Sequence, residues 1–71
     1  AEPDPELLLT GRELEILQLI GEGWRRQEIA ERLFVSTKTI GTYYERLKQK
    51  LHLDTTADLT HFAIRWMKRK E

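Results

Sequence analysis

Apolar residues along this 71-residue chain recur at steps of three and four rather than in alternation, which predicts helices and no strand. Thr10 and Glu13 have the spacing of a capping box, the Thr hydroxyl accepting from the third helical amide while the Glu reaches back. Leu14, Leu17 and Ile20, with Ile16 beside them, then form a stripe, and Gly21 and Gly23 end it. The first predicted helix is therefore 11–21.

Ile29, Ala30 and Leu33 fall on one side of RRQEIAERL, with Arg25, Arg26, Glu28 and Arg32 mostly on the others, so a short second helix is expected over roughly 25–33. Phe34 and Val35 interrupt the pattern, and Ser36 is a good N-cap for a third helix at 37–51. Ile40, Tyr43, Tyr44, Leu47 and Leu51 share one face of that helix. At 100° per residue the opposite face is Lys38, Gly41, Thr42, Glu45 and Gln49, flanked by Arg46 and Lys48. It is polar and open.

His52 and Leu53 leave the third helix, and Thr55 with Asp58 marks the start of a fourth, about 56–69, with Leu59, Phe62, Ala63 and Trp66 facing inward. Lys68, Arg69 and Lys70 lie at its C-terminus, where the helix dipole favours cations. The acidic, proline-bearing lead AEPDPELL, residues 1–8, reads as the end of a linker that is not helical before Pro5. The expected fold is all-α, four helices in one domain over 9–71, with the second and third forming a helix-turn-helix.

Charge sharpens this picture. The net formal charge is zero, which by itself argues against a phosphate-binding surface, but the charges are segregated. Residues 1–22 carry six acids against one base, and residues 23–52 carry seven bases against three acids. The basic part of the chain is the helix-turn-helix. Arg25, Arg26, Lys38, Arg46, Lys48 and Lys50 are the candidate phosphate contacts; an isolated Lys or Arg is commonly only a solvated charge, and clustering on two adjacent helices is what points to function. Lys50 sits nearest the edge of the buried face.

Other chemistries find little support. There is no cysteine, so disulfides and thiolate metal sites are excluded. His52 and His61 lack metal-ligand spacing with any carboxylate pair, and no cofactor or metal is expected. Glu28 and Glu31 share a helix with arginines and read as a solvated face, so no enzyme is expected. No apolar run approaches the roughly 18 residues that span a bilayer. Trp24, Phe34 and Trp66 read as core or rim packing. Starting at Ala1, the chain is expected to be a piece of a longer protein.

The motifs LTGRE at 9–13, GEG at 21–23, EIAERL at 28–33, STKTI at 36–40 and KL at 50–51 stand in one order at set separations. Together they resemble the LuxR/FixJ-type (GerE-like) DNA-binding domain of bacterial transcription regulators, over about Leu9 to Ala63. The resemblance implies a cytoplasmic regulator, its third helix in the major groove of double-stranded DNA and its fourth helix pairing two copies. It also implies an upstream sensing or receiver domain, this chain being the C-terminal output domain of a response regulator. Ser36 and Thr39 resemble the family pair whose hydroxyls cap the recognition helix or touch phosphate, Lys38 resembles its basic backbone contact, and Gly41, Thr42 and Glu45 occupy its groove-facing positions. Ile64 falls opposite the core stripe of the fourth helix beside Ala57, His61, Arg65 and Lys68, the set expected at a homodimer seam.

The chain departs from that family at several points. Tyr43 stands where His is common, Thr56 where Arg is frequent, and Arg26 and Gln27 where Asn and Lys are usual. His52 stands where Gly is common, so it is expected to tolerate the chain reversal that Gly makes, at a cost of about 1 kcal/mol where the backbone is left-handed. Glu45 is unusual for a helix among phosphates and suits a cytosine amino group, with Thr42 suited to a thymine methyl or base edge. A protein-interaction module that kept the fold and lost DNA binding is the competing expectation.

Overall fold

A computed structural model describes residues 3–70 and contains five helices: α1 (Pro5–Leu8), α2 (Gly11–Gly21), α3 (Arg26–Leu33), α4 (Thr37–Lys50) and α5 (Thr56–Lys70). The four expected helices are present within a residue or so of their expected ends. The addition is α1, a single turn at Pro5, capped by the Asp4 carboxylate, which accepts from the Glu6 amide at 3.0 Å. Proline starts this turn because its missing N–H is an orphan at a helix N-terminus anyway.

The capping box at α2 forms as expected: the Glu13 amide donates to Thr10 Oγ1 at 3.3 Å and the Thr10 amide to Glu13 Oε1 at 2.9 Å. Ile16, Leu17, Leu19 and Ile20 carry α2 into the core with Ile29, Ile40, Tyr44, Leu47, Leu51, Leu59, Phe62 and Trp66. Leu14 and Tyr43, expected inside, are half-buried at its margin, and Leu19 takes a core place that the simple stripe does not predict.

The most extensive helix contact is α2 with α5, and Gly21 lies where they meet. A Cβ at this position would lie 2.5 Å from Met67 Cγ and 2.8 Å from the Ala63 carbonyl oxygen. Gly21 is therefore a packing residue inside the last turn, and the reversal belongs to Gly23, whose φ is +98°. The amides of Gly23 and Trp24 close the end of α2 on the carbonyls of Ile20 and Leu19.

The same closure recurs twice with side chains in place of glycine. Phe34, at φ 58°, ends α3, with Val35 N–H bonded to the Ala30 carbonyl at 3.0 Å; His52, at φ 59°, ends α4, with Leu53 N–H bonded to the Lys48 carbonyl at 2.8 Å. A left-handed backbone costs a side-chain-bearing residue roughly 1–2 kcal/mol. His52 thus makes the reversal expected of it. Phe34 corrects an expectation: it is 94% exposed and takes no part in core or rim packing.

Glu13 is the single buried charged residue among those described, at 2% exposure. Lys50, at the end of α4, reaches its Oε1 at 2.8 Å. Burial alone pushes the Glu13 carboxyl up, but the Lys50 hydrogen bond and charge, with the Thr10 amide and hydroxyl, outweigh it and hold the carboxyl below its ordinary value. No buried side-chain polar atom among the described residues lacks a partner.

Two outcomes follow from this packing. Gly21→Ala should lower stability by about 1–3 kcal/mol, because the neighbours of the new methyl include backbone that cannot yield easily; urea midpoints against wild type measure it. A carboxyl held below its unfolded value adds stability that is fully present above the ordinary glutamate value and lost as pH falls through the lower folded one. Wild type should therefore destabilise in acid, and Glu13→Gln, weaker at neutral pH, should show a flatter fall when unfolding is followed from pH 6 down to about pH 3.

Candidate nucleic-acid interface

The helix-turn-helix is α3 and α4, joined at Phe34–Ser36 and packed through Ile29, Ala30 and Ile40, all buried. Ser36 caps α4: its Oγ accepts from the Thr39 amide at 3.0 Å and lies 3.0 Å from Thr39 Oγ1. Both hydroxyls are exposed at the start of the helix, so they cap it while still facing outward.

From this cap α4 runs as a two-sided rod. Ile40, Tyr44 and Leu47 are buried on one side, while Lys38, Thr42, Glu45 and Gln49 are exposed on the other. Thr42 Oγ1 donates to the Lys38 carbonyl at 3.3 Å, which leaves its methyl and its acceptor lone pairs outward. Lys38 has no ion pair among the described residues. Glu45 and Lys48 pair at 2.8 Å, so much of the negative charge of Glu45 is compensated on its own helix.

Gly41 sits half-buried at the edge of this face, about 70° round the helix from its centre, and a Cβ there would meet only Arg26 Nη1, at 3.8 Å. That is ordinary van der Waals distance. Packing within the domain therefore does not demand glycine here, although glycine costs a helix interior about 1 kcal/mol relative to alanine.

The six candidate phosphate bases separate into groups. Arg25 and Lys38 are exposed near the N-terminal ends of α3 and α4, the Arg25 amide donating to Glu28 Oε1 at 2.8 Å and leaving its side chain outward. Arg46 is exposed too, its guanidinium 5.5 Å from the Tyr43 ring centroid. Lys48 is half-buried and paired with Glu45. Lys50 is turned to Glu13, away from the polar face.

Arg26, though exposed, is tied to the scaffold. Its guanidinium lies 4.4 Å from the Tyr44 ring centroid on α4 and donates to Thr56 Oγ1 on α5 at 3.3 Å. Burial pushes the Tyr44 phenol above its ordinary value, partly opposed by Arg26, so the phenol stays neutral and the contact is a cation on a ring face. Thr56, one of the departures from the family pattern, is thereby the acceptor that fixes Arg26. Sequence spacing gives no sign of this bridge or of the Glu13–Lys50 tie, because both join residues thirty or more positions apart.

On α5 the expected seam residues Ala57, His61, Ile64, Arg65 and Lys68 are all exposed on the side away from Leu59, Phe62, Ala63 and Trp66. Ile64 is 37% exposed, the one large apolar residue of that group. Among the described residues no helix is long and apolar enough to cross a membrane.

Comparison with known proteins agrees with the all-α helix-turn-helix fold. The family described as bacterial regulatory proteins, luxR family, matches residues 7–63. Over 62 residues the chain is 45% identical to the oxygen regulatory protein NreC of Staphylococcus carnosus (strain TM300), covering 87% of this chain and 29% of that protein. It is 44% identical over 62 residues to the proteins of the same name from Staphylococcus aureus strains JH9 and USA300, with the same coverage. The chain thus spans less than a third of the length of these relatives. It belongs to the luxR family of bacterial regulatory proteins, as an all-α helix-turn-helix domain of the DNA-binding, transcription-regulating kind.

Proposed function

We propose that the chain binds double-stranded DNA sequence-specifically, with α4 in the major groove, as the C-terminal output domain of a response regulator whose upstream receiver controls access to it. The observation that carries this reading is the outward face of α4, polar along its whole length and bordered by a glycine that packing within the domain does not need. A helix backbone stripped of its side chain there comes closer to base edges and sugars. Thr42 and Glu45 supply base contacts, with Glu45 leaving Lys48 to accept from a cytosine amino group. Arg25, Lys38, Arg46, Ser36 and Thr39 hold the phosphates, and Arg26 and Lys50 hold α4 itself in place.

Two copies pair through Ala57, His61, Ile64, Arg65 and Lys68 on α5, which sets two recognition helices on half-sites about one helical turn apart. Pairing compensates for a small phosphate count per domain. The competing reading, a protein-interaction module, draws on one observation: Arg26, Lys48 and Lys50 are all engaged internally, which thins the positive charge near α4.

Salt dependence separates the two readings. With about three free bases per domain, log affinity for a selected duplex should fall with log salt at a slope of about −3 per domain. Lys38→Ala should flatten that slope by about one and weaken all sites alike, whereas Lys50→Ala should leave the slope unchanged and lower thermal stability. A slope near zero, with no duplex selected from genomic fragments, would hand the α4 face to a protein partner. Gly41→Ala gives an independent check: stability should rise by up to about 1 kcal/mol while DNA affinity falls. Unchanged affinity in that variant would mark Gly41 as merely tolerated.

A further inference from the structure

Phe34 is the most exposed large apolar side chain among the described residues, and it occupies a backbone conformation that glycine would adopt more readily. The fold therefore gains nothing visible from its ring. The ring borders a shallow cleft of about 500 Å³ whose other walls are Trp24, Glu28, Glu31 and Arg32. A second cleft, of about 250 Å³, continues from Trp24 and Glu28 to Glu22 and Gly23.

This surface is the outer side of α3. Relative to Arg26, which faces α4 and α5, Glu31 is rotated by about 140°, Glu28 by 200° and Arg32 by 240°. Its charge is opposite in sign to that of the α4 surroundings: Glu22, Glu28 and Glu31 against Arg32, whose guanidinium lies 5.1 Å from the Trp24 ring centroid, and Arg25 at its edge. Glu31 is exposed and has no ion pair among the described residues. Around Glu28 and Glu31 a cationic side chain would find both a carboxylate and an aromatic face.

We infer that the Trp24–Glu31–Phe34 surface is a docking site for a basic, amphipathic segment of a partner protein, its apolar side chains covering Phe34 and its arginines or lysines meeting Glu28 and Glu31. Apart from Arg25 at the edge of this surface, the proposed DNA contacts lie on α4 and its cap, away from this side of α3, so the domain holds both ligands at once. That simultaneity rests on the DNA reading; the docking itself does not.

The test uses isotope-labelled protein titrated with a synthetic amphipathic peptide, arginines along one helical face and leucines along the other, followed by amide NMR shifts with and without bound duplex. Expected are shifts confined to residues 22–34, and affinity about tenfold or more lower in Phe34→Gly and in Glu31→Lys. Phe34→Gly is the informative variant, because removing a strained side chain should leave its melting temperature equal or higher and its DNA affinity unchanged. Equal binding by Phe34→Gly, equal binding of a lysine-only peptide, shifts spread over α4 and α5, or no shifts at millimolar peptide would each overturn the site. Self-association of the protein that Phe34→Gly abolishes would overturn it in favour of a second copy. Loss of DNA binding alone, with the peptide shifts intact, would defeat the regulator reading and leave the docking site standing.

Discussion

A carboxylate with almost no access to water ties the beginning of α2 to the end of α4. Glu13 accepts from the Thr10 amide, which starts α2, and from the Lys50 ammonium, which finishes α4, so one buried oxygen spans 37 positions of sequence. Leaving either donor out would strand a charge in an apolar surrounding, a far costlier state than losing an exposed pair. The tie fixes where α4 ends, and Arg26 fixes its middle against α5. With its buried side filled by Ile40, Tyr44 and Leu47, α4 has one remaining direction in which to face, which is outward.

This arrangement explains how a chain of zero net charge can carry the DNA-binding face proposed for α4. Acids are used at the structural joints and on the outer side of α3, and two of the bases counted toward the surface by spacing alone, Arg26 and Lys50, are occupied by the scaffold. What is left beside α4 is sparse positive charge around a readable polar face. The proposal of a paired domain follows from that sparseness as much as from the exposed Ile64.

The helices and most of the core were legible because they depend on neighbours within a turn: capping residues at Thr10 and Ser36, and apolar spacing at Leu59, Phe62 and Trp66. The polar face of α4 was legible for the same reason. Contacts across the fold were not. Lys50 lies at the edge of the apolar stripe, and only the three-dimensional approach of α2 turns it inward. Gly21 read as a helix terminator, because the crowding at Met67 and Ala63 that demands a glycine comes from another helix. Phe34 read as packing because aromatic residues usually do, and no local signal states that its backbone turns left-handed. His52 was anticipated only through the family in which glycine is common at that position.

The two-sidedness of α4 has a consequence for how such a domain can diverge. Its outward side chains at positions 38, 42, 45 and 49 are exposed, and the helix between the Ser36 cap and the His52 turn is held by other residues. Substitutions on the exposed row leave the core and the two long-range ties untouched. On the proposed DNA reading, recognition is thus a nearly separate variable from folding: one scaffold can be retuned to new targets by short mutational paths whose intermediates all remain folded.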